Sequence, residues 1–76
     1  MPARRVPEWE KEKRAELRSI YGGAMRQCDV MTELGTKNAG IATAFLEGLP
    51  FMRVGKTLRY DVNDVARRFY EIREGA

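Results

Sequence analysis

Apolar positions recur at helical spacing in four stretches of the chain and alternate with polar ones in a fifth. From Pro7 the segment PEWEKEKRAELRSIY puts Trp9, Leu17, Ile20 and Tyr21 on roughly one face. Proline at the start and Glu8, Glu10 and Glu12 near that end suit a helix N-terminus, and Gly22-Gly23 closes the segment. Trp9 is expected to dock this helix on the body. Lys11, Lys13, Arg14 and Arg18, mixed with Glu10, Glu12 and Glu16, read as a solvated face of paired charges. A second helix of about ten residues is expected over AMRQCDVMTEL, with Met25, Val30, Met31 and Leu34 on its buried side and Gly35 as its stop. Thr36 is the expected cap of a third helix running through about Glu47, with Ile41, Phe45 and Leu46 facing the core. After Gly48-Leu49-Pro50 the pattern changes to alternation. A last helix, DVNDVARRFYEI, follows, with Asp61 as cap and Asp64 placed for a capping box. Its stripe is Val62, Val65, Phe69 and Ile72, leaving Arg67, Arg68 and Arg73 on the solvated side.

The alternating stretch reads as a tight basic hairpin. With Gly55-Lys56-Thr57 as a three-residue loop, Val54 faces Leu58, Arg53 faces Arg59 and Met52 faces Tyr60. That register turns Met52, Val54, Leu58 and Tyr60 toward the core and sets Arg53 directly against Arg59 on the outside. Like charges opposed across a ladder are unfavourable. An anion between them would relieve the repulsion, so the pair, with Lys56 at the tip, reads as a phosphate clamp. A basic edge that blocks strand-to-strand aggregation is the competing explanation.

Two helices joined by a short glycine-containing turn form a helix-turn-helix, whose second helix enters the DNA major groove by its N-terminal residues. Here that leading face is Lys37, Asn38, Ala39, Gly40 and Thr43. Glycine inside a helix costs about 1 kcal/mol relative to alanine. Gly40 therefore asks for a reason: close approach of backbone to a phosphate or neighbouring helix, or relief of crowding against the second helix. Both remain open from sequence.

Charge sharpens this picture. The net charge is +3, and residues 51–60 hold Arg53, Lys56 and Arg59 without a single acid. A concentrated basic patch is the footprint of a polyanionic partner. Other chemistry finds little support. Histidine is absent, Cys28 is the sole cysteine, and the acids read as caps and surface pairs, so neither acid–base catalysis nor a metal site is expected. Gly55-Lys56-Thr57 is similar to the end of a P-loop, but Pro50 stands where the first glycine belongs and a helix does not follow. No enzyme activity and no cofactor are expected. The N-terminus lacks the apolar core of a signal peptide, no apolar run is long enough for a membrane span, and the lone cysteine fits a reducing cytoplasm.

Residues 34–60, LGTKNAGIATAFLEGLPFMRVGKTLRY, followed by DVNDVARRFYE, resemble the excisionase-type (MerR-like) winged-helix domains of phages and integrative elements. The likeness spans residues 25–72 and is most specific at EGLP, at VGKTLRY and at the acid-capped helix. It implies a mainly α fold with a small β-hairpin, a winged helix-turn-helix with an extra N-terminal helix. The corresponding division is a flexible arm over residues 1–6, an accessory helix over 7–23 and the winged domain over 24–76. The resemblance places DNA contacts on Lys37, Asn38, Ala39, Gly40 and Thr43 and, on the wing, on Arg53, Lys56, Thr57 and Arg59. Members of the family usually carry a hydroxyl and then basic residues where this chain has residues 37–40, and an aromatic where it has Ala44. Arginine-to-guanine pairing thus has no candidate on this helix, and phosphate contacts and DNA shape are expected to carry more of the affinity. Double-stranded DNA is the implied partner, with an integrase or recombinase or further copies of the chain beside it. The setting is a bacterial or phage-infected cytoplasm. A packaging component of the small-terminase kind, and a protein-interaction module using the same helix surface, are the alternatives.

Overall fold

In the computed structural model, which describes residues 5–74, helix α1 (Glu8–Tyr21) leads into strand β1 (Ala24–Met25) and helix α2 (Gln27–Leu34). Helix α3 (Ala39–Leu46), strands β2 (Met52–Val54) and β3 (Thr57–Asp61) and helix α4 (Val62–Arg73) complete the chain. The fold is mainly helical with a small antiparallel sheet in the order β1-β3-β2. Most of the expected flexible arm over residues 1–6, namely residues 1–4, lies outside the described residues, as do residues 75–76.

The core gathers Leu17 of α1, Met25, Val30 of α2, Ala42, Phe45 and Leu46 of α3, Tyr60, and Val62, Val65 and Ala66 of α4. Helix α1 belongs to this core. Leu17 is fully buried, Trp9 stacks at 6.3 Å on Tyr70, and the Arg73 guanidinium lies 5.1 Å from the Trp9 ring. Trp9 thus docks the helix, as expected from sequence. The charged face of α1 is less solvated than its pattern implied. Glu10 is buried and held by Arg14 at 3.2 Å, while Lys13, besides meeting Glu16 of its own helix at 3.7 Å, reaches Glu33 of α2 at 3.3 Å and the face of Phe69. Tyr21 donates to the other oxygen of Glu33 at 2.8 Å. Burial first, and then that hydrogen bond and the carboxylate charge, push the Tyr21 hydroxyl up to about 12.

Several boundaries differ from the sequence expectation for identifiable reasons. The second helix begins at Gln27, because Ala24 and Met25 extend and pair with Asp61 and Tyr60 of β3. A two-residue strand has no periodicity of its own, and only β3 reveals it. Asn38, not Thr36, caps α3: its side chain accepts from the Gly40 N–H at 2.8 Å, while the Thr36 hydroxyl accepts from the Asn38 N–H. Ala42 fills the core position expected of Ile41, which is 49% exposed, as is most of Ile20 and Ile72 at the ends of the terminal helices. Asp61 caps α4 as expected, through the Asn63 N–H at 2.7 Å; Asp64 makes no return bond. Arg68, expected on a solvated face, instead donates to the carbonyls of Phe45 (2.6 Å) and Glu47 (3.1 Å). It satisfies backbone oxygens that the end of α3 leaves open and ties that helix to α4.

The hairpin departs furthest. Its loop is the pair Gly55-Lys56, with Val54 opposite Thr57, Arg53 opposite Leu58 and Met52 opposite Arg59. Gly55 has φ +63° and no other residue of the loop has positive φ, the pattern of a type II′ turn with glycine first. A three-residue loop wants its left-handed residue third, where this chain has the β-branched Thr57. The register is therefore one residue off the expected one, and the side chains of β2 change faces. Met52 and Val54 turn outward and are 66% and 51% exposed, instead of joining the core.

Candidate nucleic-acid interface

The surface nominated by the sequence consists of the turn before α3, the outward side of α3 and the hairpin. Gly35 ends α2 in the left-handed conformation at φ +68°, and its N–H and that of Thr36 return to carbonyls of the last turn. This reverses the chain within a few residues, so that α3 packs across α2 and keeps one side open. Lys37, Asn38, Ala39, Gly40 and Thr43 are all exposed there, together with Ile41 and Ala44.

Two of these residues already have polar partners. The Asn38 carbonyl oxygen is taken by the cap. The Thr43 hydroxyl donates to the Ala39 carbonyl at 2.9 Å and accepts from the Gln27 amide at 3.1 Å, and the same amide reaches the Ala39 carbonyl at 3.1 Å. Gln27, unremarked in the sequence, is thus the brace that joins the start of α2 to the first turn of α3. Nothing in its local pattern marks it, since the contact spans twelve residues or more. Within the chain, the crowding at Gly40 is local. A Cβ at this position would meet the Asn38 oxygen at 3.1 Å, with no atom of α2 within 4 Å. The capping side chain, rather than a neighbouring helix, is what crowds it.

The hairpin presents its cations on two sides. Arg53 shares the face of Leu58 and Tyr60, the side that meets α3 across a cleft of about 540 Å³ lined by Gln27, Thr43, Leu46, Leu58 and Tyr60. Arg59 shares the opposite face with Met52 and Thr57 and lines a separate hollow of about 350 Å³ with Ala24, Asp61 and Asp64. Lys56 stands exposed at the tip, and Thr57 is half-buried at the start of β3. The expected clamp of Arg53 against Arg59 is therefore absent: a two-residue loop puts an odd offset between them and alternation sends them to opposite faces.

Electrostatic pairing is uneven across the molecule. Lys13, Arg14, Arg26, Arg67, Arg68 and Arg73 each meet a carboxylate within 4.0 Å. Among the described residues, Lys37, Arg53, Lys56 and Arg59 meet none, and neither do Arg5, Lys11 and Arg18, the last donating instead to the Asn63 amide oxygen at 3.3 Å. Arg59 stays unpaired although it lines the same hollow as Asp61 and Asp64. No helix among the described residues is long and apolar enough to cross a membrane. Comparison with protein-family models, with curated proteins and with solved structures gives no match.

Proposed function

We propose that this chain is a small double-stranded-DNA-binding protein built as a winged helix-turn-helix, with α3 as the groove-entering helix and the β2–β3 hairpin as a basic wing. The observation that carries the reading is the set of free cations: Lys37 before α3, and Arg53, Lys56 and Arg59 on one short hairpin, none held by a carboxylate of the described chain. A phosphate backbone can engage such groups without first breaking an internal ion pair, and each contact releases counterions from the DNA. The split of Arg53 and Arg59 between the faces, with Lys56 at the tip, suits a ribbon set between two phosphate strands better than one laid flat on a single strand. On α3 the absence of arginine, with the Asn38 oxygen and Thr43 hydroxyl internally bonded, leaves affinity to rest mainly on backbone contacts.

The narrower role follows from the family resemblance of residues 25–72: an excisionase-like architectural factor that assists a recombinase, or a small prophage regulator. One module of this size offers a limited interface, so further copies or a protein partner complete the specificity. The test is fluorescence anisotropy on mixed-sequence duplex DNA across a salt series. Binding should weaken with a log–log slope of about 0.9 per phosphate contacted. Replacement of Arg53, Lys56 and Arg59 by glutamine should flatten that slope and weaken all sequences alike. Salt-independent or undetectable binding by the unmodified protein would overturn the reading.

A further inference from the structure

Leu58 and Tyr60 of β3 pack on the core, so Met52 and Val54 of β2 lie on the opposite side of the sheet. The uncovered side of an antiparallel sheet is ordinarily polar, yet both of these residues are apolar and exposed. The register fixes their neighbours. Arg59 stands directly opposite Met52 and Thr57 opposite Val54, so all four share one face, and Met52 and Arg59 line the same hollow. Lys56 follows Val54 by two residues, at the tip of the hairpin. The acids of that hollow, Asp61 and Asp64, stand away from the tip, at the end of β3 and in the first turn of α4. Asp61 is bonded to the Asn63 N–H, and neither acid pairs with Arg59. The apolar pair is thus set between two unpaired cations.

Arg53 projects on the side of the α3 cleft and Arg59 on the outward side, which suits a ribbon with one phosphate strand along each face. With α3 in the major groove, the groove beyond the first of those strands is the minor one. Its width in B-DNA is about 6 Å, and two paired β-strands stand about 4.8 Å apart before their side chains are counted. The ribbon therefore enters only if the groove opens, and apolar side chains inserted at a base step open it. Building on the DNA-binding reading above, we infer that Met52 and Val54 form an apolar wedge that enters the minor groove and unstacks a base step, bending the duplex toward the major groove. Lys56 and Arg59 hold the phosphates that flank the wedge. Charge selects this occupant. A protein seated on Met52 and Val54 would have to bring carboxylates to both cations, whereas DNA presents anions along each side of the groove.

The experiment compares, by anisotropy across a salt series, a fully paired duplex with one of equal length carrying two adjacent mismatched pairs at its centre. The two have the same charge, and in the second a base step is already loosened. Relief of part of the unstacking cost should tighten binding to the mismatched duplex about tenfold, with the salt slope unchanged. Met52→Thr combined with Val54→Thr keeps strand-forming residues at both positions, removes their apolar reach and should bring that ratio toward one. Should the double variant fail to fold by circular dichroism, Met52→Ala alone carries the comparison. Equal affinity of the unmodified chain for the two duplexes, with salt-dependent binding intact, would overturn the wedge and leave the DNA-binding reading standing. A preference that the variant keeps in full would also overturn it, and leave Met52 and Val54 to a protein partner. Absence of salt-dependent binding to either duplex would overturn both readings.

Discussion

Along α1 and α4, Lys13, Arg14, Arg67, Arg68 and Arg73 end on a carboxylate, several also finding a carbonyl or an aromatic ring, while Lys11 and Arg18 of α1 do not. Around α3 and the hairpin, Lys37, Arg53, Lys56 and Arg59 end on none among the described residues, and Ile41, Phe51, Met52 and Val54 stand exposed beside them. Both regions draw on the same residue types, so composition does not separate them. The exposed pairs on α4 contribute at most about 1 kcal/mol each, whereas the Arg14–Glu10 pair on α1 involves a buried carboxylate, and breaking such a pair costs more. The consequence of the pairing is that these cations are already neutralised locally, whereas those near α3 are available to a polyanion. On the proposed reading, the unpaired cations around α3 and the hairpin are the ones that meet a partner.

That division can be broken by measurement. Leu17→Ala should have the largest effect, a loss of about 3 kcal/mol in unfolding free energy, because Leu17 is fully buried where α1 joins the core. An effect below about 1 kcal/mol, by urea denaturation, would make α1 an appendage and remove one side of the comparison. Tyr21→Phe comes next. Removing a hydroxyl that donates to the Glu33 carboxylate should cost about 1.5 kcal/mol at neutral pH. The sign with pH is set by the raised value: the contribution is fully present below the ordinary 10.0 and is lost as pH climbs toward about 12. The unmodified protein should therefore lose stability more steeply than the phenylalanine variant over that window, and parallel curves would dismiss the coupling.

Asn38→Ala should cost about 1 kcal/mol through loss of the α3 cap. If DNA affinity instead fell severalfold with stability unaltered, the Asn38 side chain would be a base reader and not a cap. Smallest in stability is the neutralised wing, Arg53→Gln with Lys56→Gln and Arg59→Gln, expected within about 0.5 kcal/mol of the parent since these side chains hold no internal partner. A marked loss of stability there would mean that the hairpin cations are structural, and the contrast between the regions would dissolve.

The sequence by itself determined the helical stretches, the Gly35 and Gly48 stops, the Asp61 cap and the location of a short basic hairpin. Each of these rests on an interaction a few residues long: a periodic face, a positive-φ glycine, a side chain reaching its own helix N-terminus. Trp9 as the docking residue of α1 was legible for a related reason, since a large aromatic near the start of a charged helix has few other uses. Tertiary structure alone decided what depends on contacts distant in sequence. Strand β1 exists only because β3 lies beside it. Ala42 rather than Ile41 joins Phe45 and Leu46 in the core. Gln27 becomes a brace, and Arg68 a cap for α3, across separations that no local pattern encodes. The hairpin lies between the two cases. Gly55 followed by Lys56, with β-branched Thr57 after them, already favoured a two-residue turn, and only the observed ladder shows that this single step in register parts Arg53 from Arg59. A strand repeats every second residue, so one position of uncertainty in a turn is the whole difference between a shared face and opposite ones.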